Sequence, residues 1–133
     1  MKRFAWFLPA AFALSCAPSH IMTNAEVPQA TKLGDVMWSQ AQVMDPSFKK
    51  IDAAAYSDAD WAAFQEAGER LQITTAKIKQ SFSKGPEFDA FADQLATHGK
   101  ELMAASQSKD PAAAKAALTA SRDTCRACHK QFR

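Results

Sequence analysis

Three residues close to the C-terminus, Cys125, Cys128 and His129, have the types and spacing for covalent capture of an iron porphyrin. They stand as Cys125-Arg126-Ala127-Cys128-His129: two thiols with two residues between them and an imidazole directly after the second. That is the attachment pattern of c-type haem. Each thiol can add across a haem vinyl group to give a thioether, and the imidazole can take an axial position on the iron. On a helix the cysteines, at i and i+3, share one face, and His129 lies almost above Cys125. One helical turn then supplies both anchors and the proximal ligand. A zinc site needs a second pair of ligands at similar spacing, whereas Cys16, His20 and His98 are scattered. A thioredoxin-like dithiol needs a strand before it and a βαβ context, and no such pattern stands nearby.

The elements that must position this turn are helical. A second helix is marked by Trp61, Phe64, Gly68, Leu71, Thr75, Ile78 and Phe82, which step by three and four. Ser57 with Asp60 forms a capping-box pattern before it, and Gly85 is placed to stop it. A third helix opens on Pro86 and runs through Phe88, Phe91, Leu95, His98, Leu102 and Ala105. The fourth opens on Asp110 and Pro111 and carries Leu118, Ser121, Cys125, Cys128 and Phe132 on one stripe, so both thiols face inward. The first helix is shorter, roughly 28–45, with Leu33, Met37, Gln40 and Met44 on its seam and Val36 and Val43 beside it. Asp45-Pro46 is expected to end it, because a residue before proline is pushed out of the helical region. Residues 46–56 then form a connection, with Phe48 and Ile51 tucked against the core. No segment keeps strand alternation. The expected fold is all-α: an antiparallel up-down-up-down four-helix bundle over residues 28–133, with covalently bound haem.

The N-terminus reads as a targeting segment. Lys2 and Arg3 precede an uncharged run from Phe4 to Leu14, whose eleven residues are too few to span a bilayer and suit a signal peptide over 1–15. Export fits c-type haem, which is normally attached outside the cytoplasm, and places the protein in the periplasm. Ala13-Leu14-Ser15-Cys16 resembles a bacterial lipobox, with Cys16 as the lipidated first residue of an anchored protein. Ordinary cleavage after Ala13, or before Glu26, is the other reading. Residues 16–27 contain Pro18, Ser19, Thr23 and Asn24 without an apolar period and read as a flexible tether. Without Lys2 and Arg3, 14 basic residues face 14 acidic ones, a balance that points to no nucleic-acid partner.

Four helices ending in Cys125-x-x-Cys128-His129, followed by Lys130-Gln131, an aromatic Phe132 and a basic Arg133, resemble the class II c-type cytochromes, the cytochrome c′ family. The resemblance covers about residues 27–133. It implies one haem c inside one end of the bundle, with His129 on the proximal side and the first helix on the distal side. In an up-down-up-down bundle the end of the fourth helix lies beside the start of the first, which puts Met37 level with His129. Met44, two turns on, lies roughly 10 Å away along the axis. The family divides at the sixth iron ligand. An open distal position binds small gases such as nitric oxide or carbon monoxide; a methionine from the first helix makes a low-spin electron carrier. Met37 and Met44, a heptad apart, resemble the methionine pair of that low-spin branch, with Met37 as ligand. Gly34-Asp35-Val36 stands where that branch often has an Arg-Gln pair.

An unfilled site, Met44 or His98 are the alternatives to Met37, whose other reading is core filling. His98 reads as a satisfied core histidine and His20 as solvated. Phe82, Phe88 and Phe91 are expected to wall the haem, a role that overlaps with core packing. Arg133 is expected either to pair with a haem propionate or to offset the helix C-terminus. The leading functional reading is an exported one-electron carrier serving unidentified redox partner proteins. Its rival is a gas-binding haem protein. A haem subunit of a larger membrane complex is a third reading. No nucleophile or carboxylate pair accompanies the motif, so no enzyme is expected. The resemblance leaves room for an antiparallel homodimer through the first two helices.

Overall fold

A computed structural model describes residues 20–133. The expected signal peptide, Cys16 and the first part of the expected tether lie outside the described residues. A 3₁₀ turn, Val27–Gln29, leads into four helices: α1 (Leu33–Phe48), α2 (Asp58–Phe82), α3 (Pro86–Ser108) and α4 (Pro111–Phe132). Every regular element among the described residues is helical, and the helices form the four-helix bundle. None of them is long and apolar enough to cross a membrane.

The helix ends follow local chemistry. Ser57 Oγ accepts from the Asp60 N–H while Asp60 accepts from the Ser57 N–H, a complete capping box. Asp110 accepts from the N–H groups of Ala112 and Ala113, and Pro111 fills the first position of α4. Gly85, at φ 114°, forms the turn before Pro86, a conformation that a side chain would strain.

Helix α1 departs from expectation at both ends. It starts at Leu33 rather than 28, because Pro28 belongs to the 3₁₀ turn whose Val27 is fully buried. It also runs through Pro46 to Phe48. In a last turn proline removes one hydrogen bond, and the burial of Ser47 and Ile51, with Phe48 against the same cluster, holds the turn in place.

Residues 20–27 are not a free tether. Arg70, only 3% exposed, donates to the Met22 carbonyl at 2.5 Å, and Ser39 Oγ donates to the same oxygen at 2.8 Å. Further along, Lys77 Nζ donates to the Pro28 carbonyl. This strap lies in the α1/α2 groove because Val27 has apolar surface to bury and Arg70 needs an acceptor.

The α2 stripe is as expected, with Trp61, Phe64, Gly68, Leu71, Thr75 and Ile78 buried. Helix α3 turns slightly from its expected face. His98 is half-buried and meets Glu101 at 3.0 Å, while Gly99 takes the core position. Gly99 faces Gly68 across α2 and α3. A Cβ on Gly68 would lie 2.6 Å from the Gly99 carbonyl oxygen, so only glycine allows the helices to come this close. The α2/α3 seam is the most extensive of the bundle, and of the adjacent helix pairs α1 and α4 touch least.

Candidate functional site

The open seam between α1 and α4 holds the motif. Two cavities lie along it, of about 550 and about 320 Å³. Both are lined by Met37 and Ala41 from α1 and by Cys128 and His129 from α4. Leu33, Trp38, Phe88 and Phe132 complete the apolar wall of the larger one. Gln40, Met44, Leu95 and Cys125 belong to the smaller. The motif is held by an α4 that runs unbroken from its Asp110 cap to the Arg133 N–H, which donates to the His129 carbonyl.

Cys128 is buried, Cys125 half-buried and His129 exposed at the cleft. Both cysteines are free thiols. Burial, then the neighbouring Cys128 and Asp45, pushes the Cys125 thiol up to about 11. Burial also raises Cys128, with Lys84 opposing it. Both thiols are therefore neutral near pH 7 and sit against apolar surface.

These residues fit a haem. Thiols and imidazole occupy one wall, apolar side chains line the space, and two pairs of cations stand along it. Lys84 and Arg133 border the larger cavity, and Arg122 and Arg126 the smaller. The Arg122 Nε makes no hydrogen bond among the described residues and lies 3.6 Å from the Asp123 carboxylate.

Met37 faces His129 across both cavities, whereas Met44 is buried and reaches only the smaller one. His98 lines neither. Of the three phenylalanines expected around the haem, only Phe88 lines the cleft. Phe82 and Phe91 belong to the same apolar cluster but stand behind it. The physical reason is Phe132, which meets Phe88 at 5.2 Å and Phe91 at 6.1 Å, edge to face, and so occupies the space in front of Phe91. Phe82 lies under Lys77, on the α2 side. Arg133 lines the larger cavity, as a propionate partner must, and is also placed to offset the α4 terminus.

Three wall residues were not singled out by sequence reasoning. Leu33 was read as a seam residue, and Phe132 as a stripe residue of the fourth helix and a tail aromatic. Trp38 falls off the helical stripe and is 48% exposed; its adjacency to Met37 was the available signal.

The family model for cytochrome C′ matches residues 19–133. No curated protein and no solved structure matches the chain. The chain belongs to the cytochrome c′ family, whose members carry covalently attached haem c.

Proposed function

We propose that this cytochrome c′-family chain is an exported one-electron carrier, holding its haem c through Cys125 and Cys128 with His129 and Met37 as the axial pair. The observation that carries the reading is the position of Met37, which faces His129 in both cavities of the α1/α4 cleft. When bound, the haem supplies an iron that changes oxidation state by one electron. The chain's part is to fix and tune it. Cys125 and Cys128 hold one edge to α4, and His129 is carried at a fixed height by the same turn. The Met37 thioether, a soft ligand, favours the reduced iron and raises the potential. Leu33, Phe88 and Phe132 exclude water on one side, and the two pairs of cations can neutralise the propionates.

The experiment is an absorption spectrum of the purified holoprotein. A low-spin oxidised form with a weak near-infrared methionine-to-iron band is expected, and Met37→Ala should make it high-spin. A wild type that is already high-spin and binds carbon monoxide rapidly would favour the second reading, a gas-binding protein. That reading is supported by the apolar lining that Leu33, Trp38 and Ala41 give the α1 side of the larger cavity beside Met37. Periplasmic location, with or without a lipid on Cys16, completes the proposal, and mass spectrometry of the mature N-terminus tests it.

A further inference from the structure

Gln40 stands three residues after Met37 on α1, on the same face, and is only 6% exposed. It lines the smaller cavity together with Met37, Cys125 and His129. Its other neighbour is α2. The fully buried Thr74 Oγ1 lies 2.7 Å from the Gln40 carbonyl oxygen, across the α1/α2 interface. A primary amide has two ends, an acceptor oxygen and a donor NH₂. Thr74 has one hydroxyl proton and two carbonyl oxygens at 2.7 Å, those of Gln40 and Arg70; given to Gln40, that proton leaves the NH₂ as the end for the cavity. No hydrogen bond within the described residues uses it, whereas a seam that only needed filling would suit leucine or methionine. Of the polar side chains lining this cavity, Asp45, Arg122 and Arg126 are charged and more exposed. Gln40 is the neutral, buried and anchored one.

We propose that Gln40 is the ligand-selecting residue of the distal face, its side-chain N–H donating to the outer atom of a small ligand on the iron whenever Met37 is not coordinated. The inference rests on the haem reading above, but not on Met37 being the sixth ligand. Thr74 makes the donor a fixed one. Held at its oxygen, the amide loses little freedom when its other end is used, so the hydrogen bond adds to ligand retention instead of being spent on ordering. An apolar cleft with one such donor would distinguish ligands with an acceptor at the far atom from those without.

The test uses ferrous holoprotein with carbon monoxide as the probe, comparing Met37→Ala with Met37→Ala/Gln40→Met. Methionine keeps the length of glutamine and removes the N–H. The C–O stretching band should move to higher frequency and carbon monoxide should leave about two- to tenfold faster, the range of one net hydrogen bond. An unchanged band and rate would overturn the proposal. If wild-type protein itself binds carbon monoxide, the Met37 assignment fails, and the comparison of wild type with Gln40→Met still decides the role of Gln40. If Gln40→Met does not retain haem, Met37→Ala/Thr74→Val gives the answer. Freeing the amide's anchor should split or broaden the C–O band, and a single unshifted band would refute a fixed donor.

Discussion

Between α2 and α3 two glycines bring the backbones together, with no room for a Cβ on either. Between α1 and α4 the helices scarcely meet, and the space holds two thiols, an imidazole and a thioether. One seam is closed by main chain against main chain; the other is left for something the polypeptide does not supply. The difference shows how a small bundle hosts a large group without a hollow centre. The α2/α3 pair acts as a rigid spine, α1 and α4 attach to it from either side, and the opening is placed where their free faces turn toward each other. The strap over Val27 and the Arg70 bonds hold α1 to α2 in the cofactor's stead.

The largest expected effect breaks the open seam. In Cys125→Ser/Cys128→Ser the chain should lose all colour that resists denaturation and acid-acetone extraction. Retained colour would remove the covalent haem from the account. The cleft would then be an unfilled cavity, so unfolding should occur at lower denaturant than in the holoprotein. A smaller loss is expected at the closed seam. Gly68→Ala sets a Cβ against the Gly99 carbonyl, a backbone atom that cannot step aside. Overpacking of this kind should cost about 1–3 kcal/mol in urea unfolding, with the haem spectrum unchanged. An altered spectrum would mean that the two seams are coupled.

The smallest effect lies outside both seams and sharpens the contrast. The Ser57 N–H, Lys50 and the Ser57 hydroxyl hold the Asp60 carboxyl at about 2, below its ordinary 3.8. A depressed carboxylate contributes stability above its unfolded value and loses it as pH falls through the folded one. Stability should therefore fall between about pH 4 and pH 2 partly through this cap. Asp60→Asn should flatten that part of the curve without moving the haem bands.

The spine was the legible part. The α2 stripe, the Ser57 and Asp110 caps and the proline starts each depend on neighbours within four residues, which is the range that periodicity and capping describe. Cys125, Cys128, His129, Met37 and Met44 were found by the same short-range spacing, and all line the cleft. What escaped depends on distant partners. The burial of Arg70 is explained by the Met22 carbonyl, 48 residues away and indistinguishable in sequence from any other carbonyl. Gln40 was visible on the seam, but its anchor Thr74 is 34 residues on. Phe82 and Phe91 pack in the cluster with Cys128 and do not line the cleft, because which way a ring faces depends on a helix's rotation and on neighbours such as Phe132 that spacing does not fix.

The strap also sets a direction. Residues 21–24 line the α1/α2 groove, where Arg70 holds Met22, and border neither cavity of the α1/α4 face. Any attachment upstream therefore approaches the bundle from that side. If Cys16 carried a lipid, the six residues from it to Met22 would give a leash of at most about 22 Å, shorter than the bundle's own helices. A domain held on so short a leash cannot tumble freely above a membrane. It would ride with the α1/α2 groove toward the bilayer, while the cleft, on a different face, stayed open to passing partners.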